Sequence, residues 1–441
     1  MTHINKPQRD ISLLGATAIG IGGMVGGGIF AVLGEAVSLA HGATALAFLF
    51  AGIVALLTAY SYTKLSVCYQ SRGGTVFFID KAFGVSLLSG TANLMLWLAY
   101  LVTISLYASA FAAYGHTFFR ETNFANASWL RHLLISFSII LPALINYMSV
   151  SFVEKSETFI VLIKVVLLVF IIVMSASYVN PEHFSPKHWG ETGSIIVAGM
   201  IIFVAYEGFE LIANSAEDIK DPNRNLPKAF YGSVIFVIFL YICIALITVG
   251  TVPEDQLMAA KDYALAIAAK PALGNIGFTV VAVAALLSTF SAINATIYGN
   301  ARLGFILAKE GKLPPSFSIE KNKIPTVGII ATMLMSMILA NSIDLTEIAI
   351  IGSASFILIF FIVNVGAFKL SKQISGNKTI LLIASLVSGV ALITLLFHTY
   401  TTNTKAIIIF LAFIFIAFLF ELTYGKLVRR RFYLNHAKIR V

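Results

Sequence analysis

Apolar runs of about 20 residues or more recur along the whole chain, and that pattern excludes most folds. In a hydrocarbon core every backbone N–H and C=O must be satisfied internally, so a run of this length reads as a helix that crosses a membrane. Twelve such runs stand at residues 12–38, 43–67, 86–119, 132–150, 157–179, 192–216, 229–251, 273–308, 325–342, 346–368, 379–398 and 404–424. Composition agrees. Of 441 residues 58% are hydrophobic and only 12% charged, against roughly 25% charged in soluble domains. The expected fold class is therefore an all-α polytopic membrane protein with twelve transmembrane helices. The first run is too long for the h-region of a signal peptide, so it is expected to be retained.

The net charge of +9 does not mark a nucleic-acid binder, because its distribution follows the membrane. Most of the 30 Lys and Arg fall in the loops that share a side with both termini, which places those termini in the cytoplasm of a cell (inner) membrane. The basic tail from Lys426 to Arg440 reads as an anchor to anionic membrane lipids. Cys68 and Cys243 lie in or beside apolar runs and read as small apolar residues without a disulfide. The eight histidines show no metal spacing, so neither metal nor cofactor is expected.

Certain features occur twice. A glycine-rich interruption near residue 25 is matched by an irregular point at Tyr206–Glu210. Long runs starting near 86 and 274 match each other and should be strongly tilted. Semi-polar stretches beginning at Gln70 and Pro253 match as short helices at the membrane surface. Paired interruptions at one offset, roughly 185 residues, point to an inverted repeat and to the binding site of a secondary transporter. The expected division is a first repeat over 1–190, a second over 191–370, and two further helices with the tail over 371–441.

The first interruption, Ile19 to Phe30, is half glycine, although each glycine weakens a helix by about 1 kcal/mol relative to alanine. Irregular backbone at membrane depth is tolerated where it is buried in protein or lines a cavity. Unwinding there would free N–H groups near Gly26, Gly27 and Gly28 for a carboxylate. It would also free carbonyls around Gly20 to Gly23 for an ammonium. The plainer alternative is close helix packing, since Gly22–Gly26 and Gly23–Gly27 are each G-x-x-x-G. A dinucleotide fingerprint fails, because Val25 stands where its third glycine is required.

Three segments carry a resemblance: GGMVGGGIF, the stretch AYEGFELIANSAEDIKDPNRNLPKA from Ala205 to Ala229, and NATIYGNARLGFILAKEGKLP from Asn294 to Pro314. With them the chain resembles the amino acid–polyamine–organocation superfamily over Ile11 to about Val441. That resemblance implies the LeuT fold: a 5+5 inverted repeat with discontinuous first and sixth helices, plus two C-terminal helices. Within the superfamily, FIVLIKVVLLVFII (Phe159–Ile172) and ALAIAAKPALGNIGF (Ala264–Phe278) look most similar to the ApcT-like, proton-coupled, broad-specificity amino-acid transporters.

Lys164 stands out on chemistry alone, as a lone lysine inside the fifth run. A charge at the centre of a span costs about 2.5–3.5 kcal/mol on insertion scales. Either its stem snorkels to the interface or it is a proton site. The resemblance implies the second: a lysine amine in place of the coupling sodium of related transporters, facing Gly22 of the first helix and Ser288 or Ser291 of the eighth. Glu210 matches a frequently acidic position and is implied as a second protonatable or gating group. The implied substrate site consists of Met24, Val25, Gly26, Gly27 and Gly28 with Val204, Ala205, Glu207 and Gly208. Glu207 departs from the apolar residues common at its position, and it fits either a cationic substrate or a carboxylate network.

The implied function is sodium-independent, proton-coupled import of amino acids by alternating access, with the proton as the coupling ion. An exchanger for cationic amino acids or polyamines is the alternative. A membrane enzyme is disfavoured, since H-E-x-x-H and G-x-S-x-G are absent. A non-transporting subunit of the same fold stays open, as does the choice between monomer and homodimer.

Overall fold

A computed structural model of the chain describes residues 9–119, 122–124, 127–148, 150–321 and 324–429. Lys6 and the part of the basic tail beyond residue 429 lie outside the described residues. The described chain is helical throughout and contains no β-strand, only three isolated bridges.

The helices, in chain order, are α1 (Leu13–Met24), α2 (Gly28–Ala40), α3 (Thr44–Cys68), α4 (Gly74–Phe83), α5 (Leu87–His116), α6 (Ser128–Met148), α7 (Val150–Ser175), α8 (Thr192–Ile201), α9 (Leu211–Asn214), α10 (Pro222–Thr251), α11 (Glu254–Ala259), α12 (Ala264–Ala268), α13 (Lys270–Lys309), α14 (Thr326–Ser342), α15 (Leu345–Lys369), α16 (Lys378–Thr402) and α17 (Thr404–Tyr424). Among the described residues, ten spans are long and apolar enough to cross a membrane. The pair α1 and α2, bent by 48°, makes an eleventh. The shorter apolar helix α14 falls at the remaining expected position. The chain is a multi-pass membrane protein.

Burial sorts these helices into two groups. In α5 and in the broken segment from α8 through α9, 89% of the most apolar window is buried inside the protein, whereas in α17 the share is 28%. The first two therefore form the centre, and α17 presents most of its surface outward. The element order around the centre recurs: a broken helix, a long helix, short helical pieces and a second long helix describe both α1 to α5 and α8 to α13. The two expected semi-polar helices are α4 and the pair α11 and α12.

The eighth run, 273–308, is one long helix as expected. α13 turns a corner at Gly274, whose φ of 60° and ψ of −151° are not helical. A residue without Cβ adopts that conformation at little cost, and the corner lies at the start of the run, so the helix beyond it continues to Lys309. The C-terminal pair packs as a scaffold: α16 lies along α15 and α17 lies along α5, and the Tyr424 hydroxyl donates to the Leu313 carbonyl at 3.1 Å.

Candidate functional site

The two interruptions meet at the centre of the molecule. α1 runs through Met24, one turn further than the freed carbonyls expected around Gly20 to Gly23 would require. Only its last carbonyls are released, because Val25 N still donates to Ile21 O at 2.7 Å. Residues 25–27 are non-helical, and α2 begins at Gly28 without a side-chain cap. In the second interruption the backbone tightens to a 3₁₀ turn at Ile202–Tyr206, extends at Glu207 and turns through Gly208 at φ 119° before α9.

The glycines are explained by contact. A Cβ on Gly23 would lie 2.6 Å from Gly208 O, and one on Gly28 would lie 2.8 Å from Ala205 Cα. The two broken backbones thus touch, as the G-x-x-x-G reading of close packing requires. A Cβ on Gly27 would meet Cδ1 of Tyr107 at 2.4 Å. Tyr107, on α5, occupies the space expected there for a ligand.

Side chains from the surrounding helices satisfy several of the released backbone groups, most of them carbonyls. The Tyr241 hydroxyl of α10 lies 2.6 Å from Met24 O and 3.1 Å from Ala205 O, and so joins the two interruptions. Ser353 of α15 donates to Ile201 O and accepts from Val204 N at 2.9 Å. Ser288 of α13 donates to Gly26 O at 2.8 Å. Buried backbone groups need such partners, which is why these polar residues sit mid-membrane. Tyr241 and Ser353 lie far from either motif in sequence, and nothing but an isolated hydroxyl in an apolar run signals them.

The carboxylates follow the same logic. Tyr100, Thr103 and Tyr107 are spaced three and four apart, hence on one face of α5. Tyr100 donates to Glu210 Oε1 at 3.0 Å, and Glu210 Oε2 accepts from Gly208 N at 2.8 Å. Thr103 and Tyr107 both donate to Glu207 Oε2, each at 3.3 Å. Both glutamates are buried.

A cavity of about 160 Å³ adjoins these groups. Gly22, Gly23, Tyr107, Glu207 and Gly208 form one wall, and Ala292 and Thr296 of α13 contribute another. It continues toward Thr75, Asn214 and Leu303, on the side where Ile11 pairs with Asp218 and Lys220. Among the described residues, Glu207 is its one charged lining residue. Of the expected substrate residues, Glu207 and Gly208 line it, whereas Met24, Val25, Gly26, Gly27, Gly28, Val204 and Ala205 are buried around it. Lys164 is also buried, on α7, a helix that packs against both α1 and α13. Ser288 and Ser291 are buried on α13, and Ser288 reaches the Gly26 carbonyl.

The far side is closed. Lys261 pairs with Glu35 of α2, and Thr346 donates to the same carboxylate at 3.0 Å. His41 meets Glu254 at 2.5 Å. Among the described residues no cluster of His, Cys, Asp and Glu fits a metal ion.

This architecture has known relatives. The amino acid permease family model matches residues 11–432. An uncharacterised protein of Methanocaldococcus jannaschii is 33% identical, over 96% of this chain and 97% of its own length. The inner membrane transport protein YbaT of Escherichia coli is 32% identical, over 92% of this chain and 94% of its own. The branched-chain amino acid permease BcaP of Bacillus subtilis is 23% identical, over 83% and 82%.

Proposed function

Because the chain belongs to the amino acid permease family, we propose that it is a secondary transporter that imports amino acids by alternating access, coupled to protons and independent of sodium. The observation that carries this reading is the cavity where the two interruptions meet, closed on the far side and walled by Gly22, Gly23, Glu207 and Gly208. Helix ends supply a negative pole at the close of α1 and a positive pole at the start of α2. An amino acid carries the complementary charges, an ammonium and a carboxylate. In this reading the carboxylate goes to the N–H groups at Gly26–Gly28, and the ammonium goes toward Glu207 and the last carbonyls of α1.

The coupling proton is assigned to Lys164. It is buried in α7 between the elements that carry the first interruption and Ser288. Protonated, it ties those helices together through up to three donors; neutral, it loosens them. Glu210 serves as a network carboxylate that holds Gly208 in place. The proposed setting is a cell membrane with both termini cytoplasmic, so that the cavity faces the cytoplasm.

Flux into liposomes that hold this chain alone tests the proposal. Neutral L-amino acids of small or medium size compete for uptake, and the corresponding α-amides compete at least tenfold less well, because charge-assisted bonds to the carboxylate are lost. Equal competition by acid and amide would remove the assignment. Glu207 lining the cavity favours a second reading, an exchanger for cationic amino acids or polyamines; strong preference for lysine, arginine or polyamines over neutral amino acids would establish it.

A further inference from the structure

Tyr107 holds a position that neither the family match nor the proposed function assigns. Its side chain is buried against the start of α2, where a Cβ on Gly27 would lie 2.4 Å from its ring and one on Gly26 would lie 3.3 Å from its hydroxyl. The same side chain lines the cavity, which Gly26, Gly27 and Gly28 do not. Among the described residues, nothing accepts a hydrogen bond from the N–H groups of residues 26–30. Tyr107 therefore stands between the cavity and the part of α2 suited to a carboxylate. It is held there from the cavity side, since its hydroxyl donates to Glu207 Oε2 at 3.3 Å, beside the bond from Thr103.

We propose that Tyr107 is an internal gate of the substrate site: its ring covers the start of α2 while its hydroxyl rests on Glu207, and it must turn aside before a substrate carboxylate can reach the α2 N–H groups. This inference rests on the transporter reading and refines it. Glu207 has a double part. An ammonium pairs with Glu207 through Oε1 while both hydroxyls stay on Oε2, so it anchors the substrate without breaking the bond that holds the gate. The carboxylate is then the end that displaces the ring and takes the place it leaves. A ligand with an ammonium and no carboxylate does not move the ring. Tyr107 is thus a positioning and specificity-determining residue, and Gly27 is glycine to seat it.

The test compares Tyr107→Phe with the unsubstituted protein in detergent, using a neutral L-amino acid and its α-amide as paired probes. Removing the hydroxyl frees the gate at the cost of one hydrogen bond. The amino acid should bind about two- to tenfold more tightly, with the amide shifted less than twofold. Weaker binding of the amino acid would overturn the proposal, because the phenol would then be a substrate ligand. An equal shift for both probes would also overturn it, because the residue would then be structural only. A second measurement covers a variant that does not fold: 3-fluorotyrosine at position 107 should show a ¹⁹F shift on adding the amino acid and none on adding the amide. A resonance that responds to neither or to both contradicts the gate. Failure of the protein to bind any amino acid would instead reject the underlying transporter reading.

Discussion

The two interruptions solve the same problem by opposite means. The first, at residues 25–27, lies in a stretch with no charged side chain and works by deletion. Its glycines admit neighbouring groups to within backbone distance, Gly208 at Gly23, Tyr107 at Gly27 and Ala205 at Gly28. The second, at residues 202–210, works by addition. Glu210 closes a bond to Gly208 N, and Glu207 collects two hydroxyls from α5. One helix is opened by removing side chains, and the other is held open by polar ones. The difference teaches where substitution will be tolerated: nothing larger than hydrogen at Gly23, Gly27 and Gly28 of the first, and nothing without an acceptor at Glu207 and Glu210 of the second.

The sharpest way to break this comparison is Gly23→Leu. Its side chain has no room beside Gly208 O, and overpacking of this kind costs about 1–3 kcal/mol or more. The expected result is loss of amino-acid binding by at least a hundredfold and a lowered unfolding temperature, followed by tryptophan fluorescence in detergent. Unchanged binding would show that the two backbones need not touch. Next in size is Glu210→Leu, which leaves Gly208 N and the Tyr100 hydroxyl without their acceptor, about 1–3 kcal/mol for each buried group. Glu210→Gln keeps an acceptor and should restore most of the stability. If both variants unfold alike, charge and not hydrogen bonding holds the second interruption. The smallest effect is expected for Tyr241→Phe, which removes the one hydroxyl shared by Met24 O and Ala205 O. A fall of a few degrees in unfolding temperature, with binding weakened less than about fivefold, matches a bond that contributes about 1 kcal/mol.

Much of this architecture is legible in the order of the amino acids. Spans and interruptions are written in strong, local signals: long apolar runs, a cluster of glycines, and acidic residues in YEGFE. Glu207 and Glu210 stand out because a charge in an apolar run is rare. What local signals do not carry is partnership across the chain. Tyr100, Thr103 and Tyr107 sit in the third run as ordinary polar residues, and only packing brings them to carboxylates at least 100 residues away. The glycines are equally plain in the sequence, but which body fills the space beside each one is a tertiary fact. At Gly27 that body is an aromatic ring. The corner at Gly274 is plain only in its dihedral angles, since a single glycine at the start of a long apolar run carries no local signal of a turn.

The central claim is that Lys164 carries the coupling proton while the interruptions carry the substrate. It is tested by measuring two quantities on one preparation of Lys164→Ala: amino-acid affinity in detergent, and uptake into sodium-free liposomes driven by an inward proton gradient. The unsubstituted protein should accumulate amino acid, and more so as external pH falls. The variant should keep its affinity within about threefold, because the groups proposed to bind substrate lie on α1, α2 and the 202–210 segment, and it should lose gradient-driven accumulation altogether. Full, proton-dependent accumulation by Lys164→Ala would contradict the account and move the coupling role to Glu210.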